Sequence, residues 1–336
     1  MSDPLSMITA RIAAPLAALA ALQTPLPPNI ITSPAACLSK LMSKQIIMLD
    51  CDGVIYCDKT PLPNSAAIIF RLMDAGKTVL FVTNSSALSR VSMCSKLNTI
   101  LETTRLNVDQ MVPSCYPAAW HIKKQVKDGE KVYVIGGQGI IDELNQLGVE
   151  CVGGAADDHY GSSLSEADLE AYEIDPMVKV VIVGLAMDFN YRMVGHACLY
   201  LQNNLGCMLV SCNQDEFDIL PSGRRQPAAG VVVRAVEHAS GMKAVDCGKP
   251  SGVLFDLVSE EFGVEKDQSV MVGDRVTTDI KFGFDHGVDT VLVMSGCSDL
   301  AIVEEVLGGR EGELKPTWVM PYLGFGLEEE GKLSKL

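Results

Sequence analysis

From residue 45 onward the chain alternates between two hydrophobic periods. Continuous, β-branched apolar runs at 45–49 (QIIML), 78–82 (TVLFV), 132–135 (VYVI), 178–183 (VKVVIV), 208–211 (MLVS), 269–272 (SVMV) and 290–293 (TVLV) predict buried strands. Between them lie amphipathic stretches at 65–75, 251–262 and 277–286, each followed by a glycine (Gly76, Gly263, Gly287) where a helix C-terminus favours one. Strand alternating with helix implies an α/β fold with a mostly parallel sheet and helices on both faces. No solenoid period and no heptad run is present. The polar, Gly- and Ser-rich stretch at 153–168 reads as a solvated loop.

The first 44 residues do not share this pattern. Pro4, Pro15, Pro25, Pro27, Pro28 and Pro34 break any long helix, and the apolar stretch 12–22 falls well short of the ~20 residues a membrane span needs. Arg11, Lys40 and Lys44 against Asp3 alone give this segment a net charge of +2, which leaves −17 for the remainder. It reads as an extension outside the fold, either disordered or a removable targeting peptide. Its acid-poor, Ala/Ser/Thr-rich composition favours the second, and a single Arg in the first 39 residues favours the first.

Composition narrows the function classes. The 336 residues suit two domains, or one with a large insertion, and 48% hydrophobic against 21% charged residues supports a real core. A net charge of −15 argues against partners recognised by broad attraction to phosphate backbones or anionic membranes, so neither nucleic acid nor membrane is expected. Eleven cysteines with no C-x-x-C pair read as reduced thiols in a cytosol-like compartment. The expected location is the cytoplasm, or the chloroplast or mitochondrion should the leader be a transit peptide.

Four strand ends carry candidate chemistry. After the 45–49 run comes Asp50-Cys51-Asp52-Gly53. Residues two apart in extended chain point the same way, so Asp50 and Asp52 can face one pocket, and Gly53 permits a sharp turn. An Asp-rich turn is the plainer alternative. The 78–82 run leads into Thr83-Asn84-Ser85-Ser86, whose hydroxyls and amide can bind phosphate oxygens or simply cap the following helix. Gly248-Lys249-Pro250-Ser251 lacks the Walker A pattern, yet Lys249 can serve as a point charge toward phosphate. The 269–272 run ends in Gly273-Asp274, with Asp279 five residues on. Carboxylates of this kind suit magnesium far better than zinc. In order, the four elements supply a nucleophile, an acid, a phosphate cradle, a cation and a metal carboxylate.

The combination resembles the haloacid dehalogenase superfamily of aspartyl-phosphate phosphatases, in the type IIA subfamily of phosphoglycolate phosphatase, pyridoxal phosphatase and 4-nitrophenylphosphatase. The stretches DCDGVIY, LFVTNSS, KVYVIGGQGIIDEL, VGLAMDFNY, GKPSG and MVGDRVTTDI carry the resemblance from residue 45 to about 297. It implies a Rossmann-like core at 45–124 and 244–336, with an α/β cap of the C2 type at 125–243. It implies Asp50 as nucleophile and Asp52 as acid and base. Magnesium would be held by Asp50, the Asp52 main-chain carbonyl and Asp274, with Thr83, Asn84, Ser85 and Lys249 on the phosphate. Asp279 and Gly53 would support these groups from behind. Dehalogenases use the first Asp alone, so Asp52 favours phosphoryl chemistry. The expected substrate is a small phosphorylated metabolite, and relatives suggest a homodimer through the cap.

Two positions depart from the subfamily: Ser85 stands where a second Asn is common, and Ala228 where a Gly-x-Gly is common near Gly230. Asp188 aligns with a cap His of pyridoxal phosphatases, which favours 2-phosphoglycolate as substrate over pyridoxal 5′-phosphate or a broad 4-nitrophenylphosphatase activity. Arg224 and Arg225 could bind a substrate carboxylate, or be solvated turn residues. The five histidines match no motif, and Phe189, Tyr191 and Tyr200 suit core or dimer contacts. A rival from another class is a non-catalytic protein that binds a partner through its cap; the intact Asp, Lys and carboxylate motifs speak against it.

Overall fold

The computed structural model describes residues 29–154, 165–220, 222–309 and 313–329, together with residue 13. Residues 1–12 and 14–28 of the extension, and 155–164 of the polar loop, lie outside the described residues. The chain divides into two compact units. The first takes in the described residues up to Thr83, Lys96–Gln110, and the described residues from Val258 on; the second is Asn84–Ser95 with Met111–Leu257. This partition is wider than the 125–243 segment marked by the resemblance.

In the first unit, five of the six strands of one sheet lie side by side in the order Trp318–Met320, Asp289–Val293, Ser269–Gly273, Ile46–Leu49, Thr78–Thr83. All neighbouring pairs are parallel. Leaving the Ile46–Leu49 strand, the chain first builds outward on one side and later returns on the other, so the sequence order reverses between Ile46–Leu49 and Ser269–Gly273. This is a topological switch point, where open α/β sheets bind ligands beyond their carboxyl ends. Ile46–Leu49 is buried along its whole length, as its unbroken apolar run requires.

Residues 29–44 are part of this unit, contrary to the expectation that the first 44 residues lie outside the fold. Ile31 N–H donates to Val319 O and Val319 N–H to Asn29 O, both at 2.9 Å. Pro34–Met42 forms a helix with Pro34 in its first turn, and Cys37 and Leu41 are fully buried. The proline and acid-poor composition that marks a leader does not distinguish this buried helix from the segment before it. A second difference lies at 277–286, which reads as one helix. The chain there makes a π-turn, Val276–Ile280, before the α-helix Lys281–His286. Ile280 N–H reaches back five residues to Arg275 O at 3.4 Å, and Asp279 Oδ2 accepts the Arg275 N–H at 3.0 Å.

The second unit is built on a parallel sheet in the order Val245–Asp246, Met208–Ser211, Val178–Val183, Lys131–Ile135, Glu150–Gly153. Its two faces bury separate clusters. Val132, Val134, Val180 and Ile182 pack on one side, and Tyr133, Ile135, Val181 and Val183 on the other. Val178 joins the second set although it lies three residues from Val181, because the register slips by one between Lys131 and Val132. Tyr200 and His196 are buried in the second cluster, His196 stacked on Tyr172 at 3.9 Å between ring centroids.

Candidate active site

The first unit gathers carboxylates at its switch point. Asp50 follows Leu49, whose register partner is Val272, and Asp50 N–H donates to Val272 O at 2.9 Å, which extends the ladder by one residue. Asp274 follows the end of the neighbouring strand. Carboxylate oxygens of Asp50, Asp274 and Asp279 come within 4.8 Å of one another. Asp50 is half-buried, while Asp274 and Asp279 are buried.

Crowding holds Asp274 in place. A β-carbon at Gly53 would lie 2.6 Å from Asp274 Oδ2, and one at Gly296 would lie closer still, at 1.9 Å. Gly53 also has a φ of +78°, which other residues rarely adopt. Asp274 Oδ2 accepts the Cys297 N–H at 2.6 Å, its main-chain oxygen accepts Ser298 Oγ–H at 2.7 Å, and Ser295 Oγ–H donates to Gly53 O at 2.6 Å. Burial, and then the Asp50 carboxylate, push the Asp274 carboxyl up to about 6. A group of oxygen donors whose buried member is raised by its own neighbour fits a hard divalent cation, whose charge offsets both effects. A carboxylate oxygen of Asp279, expected behind the ligands, lies in the same group.

Asp52 is exposed, on the same strand end as Asp50. Its main chain bridges to Tyr56, and Gly53 N–H donates to Tyr56 O at 2.8 Å, so the D-x-D-G segment closes a tight turn. Tyr56 is a neighbour that sequence reasoning missed. Its phenol is buried and held well above its ordinary range by burial first, then by Cys51, Asp52 and Asp50. Lys96 Nζ donates to the Tyr56 hydroxyl at 3.0 Å and lies over its ring. Thr83 ends the Thr78–Thr83 strand in a half-buried position.

The second unit holds the other three predicted phosphate residues. Lys249 is buried and Ser85 exposed. Asn84 is buried, and its carboxamide is bound to its own chain. Nδ2 donates to Asp215 Oδ1 at 2.9 Å and to Lys249 O at 3.1 Å, and Oδ1 accepts Lys249 N–H at 2.7 Å. Both amide hydrogens therefore have acceptors, a different use from the phosphate donor expected of this side chain. Asp215, Asn213 and Asp246 are further residues of this network that sequence reading did not single out. Burial pushes the Asp246 carboxyl up to about 6, opposed by hydrogen bonds from Gly248 N–H and Ser211 Oγ–H.

The hairpin Phe217–Ile219 with Arg225–Pro227 carries Arg224 and Arg225 exposed, the Arg225 guanidinium stacked 4.1 Å from the Phe217 ring centroid. Asp188 is exposed as well.

Comparison with known proteins agrees with this chemistry. A haloacid dehalogenase-like hydrolase family model matches residues 47–150, and a second, HAD-hydrolase-like model matches residues 246–324. Glycerol-3-phosphate phosphatase of Gallus gallus is 34% identical over 278 residues, covering 81% of this chain and 86% of its own length. Phosphoglycolate phosphatase 2 of Arabidopsis thaliana is 33% identical over 255 residues, covering 76% and 84%. The solved structure of 4-nitrophenylphosphatase from Thermotoga maritima matches with a TM-score of 0.68 at 27% identity, covering 84% of this chain and 96% of that one. With strand-end carboxylates at the switch point and relatives matched over most of their length, the chain belongs to the haloacid dehalogenase-like hydrolases, among the type IIA phosphoric monoester hydrolases.

Proposed function

We propose that this protein is a magnesium-dependent phosphatase that hydrolyses a small phosphomonoester through an aspartyl-phosphate, with 2-phosphoglycolate as its preferred substrate. The observation that carries the proposal is the grouping of Asp50, Asp274 and Asp279 at the sheet's switch point, with Asp52 on the same strand end as Asp50. An Asp50 carboxylate oxygen attacks phosphorus in line. The bond from phosphorus to the leaving oxygen breaks, and that oxygen takes a proton from Asp52. Water then attacks the acyl phosphate, giving its proton to the Asp52 carboxylate and releasing phosphate and free Asp50. Thr83, Ser85 and Lys249 meet the charge that spreads over the equatorial oxygens. When bound, magnesium supplies the positive charge that lets a carboxylate approach a phosphate. Asp50, Asp274 and the Asp52 carbonyl would hold it, with Asp279 in reach of the same ion.

Support for 2-phosphoglycolate comes from the Arabidopsis relative, from the exposed Arg224 and Arg225 as partners for a second anionic group, and from Asp188 in place of an imidazole. The chicken relative favours glycerol 3-phosphate as a second reading. The deciding experiment compares kcat/KM for 2-phosphoglycolate, glycerol 3-phosphate, pyridoxal 5′-phosphate and 4-nitrophenyl phosphate under saturating magnesium. A preference of about tenfold, roughly 1.4 kcal/mol of transition-state binding, selects the substrate. No phosphate release from any of them, with or without magnesium, would turn the case toward a non-catalytic binding protein.

The same proposal includes a homodimer formed through the 125–243 segment, supported by Met187 and Tyr191, 78% and 74% exposed. Light scattering of the intact protein tests it. It also includes a reducing, cytoplasmic setting, supported by eleven free cysteines. No helix among the described residues is long and apolar enough to cross a membrane.

A further inference from the structure

The network around Asn84 carries a role that no motif predicts. One carboxamide makes three hydrogen bonds, two of them to the main chain of a single residue, Lys249, at its N–H and its carbonyl. The third goes to the Asp215 carboxylate. Two adjacent groups hold the same bracket. Asn213 Nδ2 and Ser114 Oγ each donate to Asn84 O at 2.6 Å, and Asp215 N–H donates to Asn213 Oδ1 at 3.1 Å. The 213–215 segment is fixed in turn by Gly230 N–H, which donates to Asp215 O at 2.8 Å where the Ala229–Ser240 helix opens.

A carboxamide has two orientations related by a half-turn, and the Lys249 main chain accepts only one of them. Flipped, Oδ1 would face the Lys249 carbonyl and Nδ2 would face its N–H, which makes two repulsive pairs from two attractive ones. Asp215 reinforces the choice from the opposite side, because an ionised carboxylate only accepts and so admits only the Nδ2 edge. Asn84 and Asp215 lie 131 residues apart in sequence, and Asn84 and Lys249 165 apart.

We propose that Asp215 is a positioning residue: it orients the Asn84 carboxamide, which clamps the main chain at Lys249 and thereby sets where the lysine ammonium stands. The proposal rests on the phosphate role given to Lys249 above. Asp215 itself touches neither substrate nor metal in this scheme, and the Asn84 side chain acts as a clamp.

The test measures kcat and KM for 4-nitrophenyl phosphate under saturating magnesium in the full-length protein. The variants are Asp215→Ala, Asp215→Asn, Lys249→Met and the Asp215→Ala/Lys249→Met double variant, with melting curves for each. Asp215→Ala is expected to lower kcat/KM about tenfold, and Asp215→Asn, which keeps an acceptor oxygen, to recover most of that loss. In the Lys249→Met background Asp215→Ala should cost less than about twofold, because the ammonium it places is gone. A loss of equal size in both backgrounds, or no recovery in Asp215→Asn, overturns the proposal. Should Asp215→Ala fail to fold, Asp215→Leu, close to aspartate in size but without an acceptor, takes its place in both backgrounds, and a loss of equal size in the two overturns the proposal in the same way. Lys249→Met with unchanged activity refutes the phosphate role of Lys249, whereas an impaired Lys249→Met beside an unimpaired Asp215→Ala refutes only the role of Asp215.

Discussion

The two units place their polar groups by opposite means. In the first, three carboxylates come within 4.8 Å of one another, Gly53 and Gly296 close on Asp274, and the Asp50 charge raises its carboxyl. In the second, the Asn84 carboxamide meets a matching partner on every edge. The first arrangement is electrostatically incomplete and would gain stability from a bound cation, whereas the second is complete as folded. Residues that act on charge are thus held against their own preference, and residues that set position are held by preference. Substitutions should separate the two: in the first unit they should remove activity while sparing or raising the stability of the metal-free protein.

The most severe break is Asp50→Asn. It keeps the shape at the switch point but removes the carboxylate proposed as nucleophile, so turnover should fall by about a thousandfold or more while the circular dichroism spectrum is unchanged. Retained phosphatase activity would refute the nucleophile assignment. Next is Asp274→Asn, which removes one of two adjacent buried carboxylates yet keeps an acceptor for Cys297 N–H. Activity at a fixed, moderate magnesium concentration should drop about a hundredfold, while the melting temperature without metal rises by roughly 2–4 °C. A lower melting temperature would show that the cluster is not strained by its own charge.

The third prediction sharpens the comparison from the second unit, where Asp246 is the exception to the pattern of matched partners. Its carboxyl is raised to about 6, mostly by burial, so the folded state holds its proton more tightly than the unfolded chain does. Its contribution is therefore neutral below about pH 4, turns unfavourable as pH rises through about 4–6, and levels off above, for a total of at most about 3 kcal/mol. In Asp246→Asn that decline should vanish from urea-denaturation curves taken across the same range; an identical pH dependence in both proteins would exclude the assignment. The smallest effect is expected for Asp52→Asn measured on two substrates. The loss should be about tenfold greater with 2-phosphoglycolate, whose leaving alkoxide needs a proton, than with 4-nitrophenyl phosphate, whose leaving group does not. Equal losses would remove the acid role from Asp52.

The central strands were legible because burial on both faces demands unbroken apolar runs: Val178–Val183 and Met208–Ser211 stand where the pattern predicts them, and Ile46–Leu49 within a residue. Trp318–Met320 and Glu150–Gly153 were not, since runs of three or four residues are too short to show a period. Asp50, Asp52, Asp274 and Asp279 were visible as strand-end carboxylates. Asp215 was invisible for a physical reason: its partner is 131 residues away, and nothing in the local Asn213-Gln214-Asp215 pattern differs from a polar turn. The hydrogen bonds of the Asn84 carboxamide were invisible for the same reason, because their acceptors lie 131 and 165 residues away.

The pairing of Ile30 with Val319 has a consequence for how the molecule is made. A ribosome releases the chain from its N-terminus, and most of the second unit, Met111–Leu257, emerges as one uninterrupted stretch that can collapse while synthesis continues. The first unit has no such option. Its earliest described segment waits for one of its latest, and Asp50 waits for the Ser269–Gly273 strand that brings Asp274 beside it. The carboxylate centre is therefore assembled only after most of the second unit has emerged, and a nascent chain stalled before that strand would carry Asp50 without Asp274.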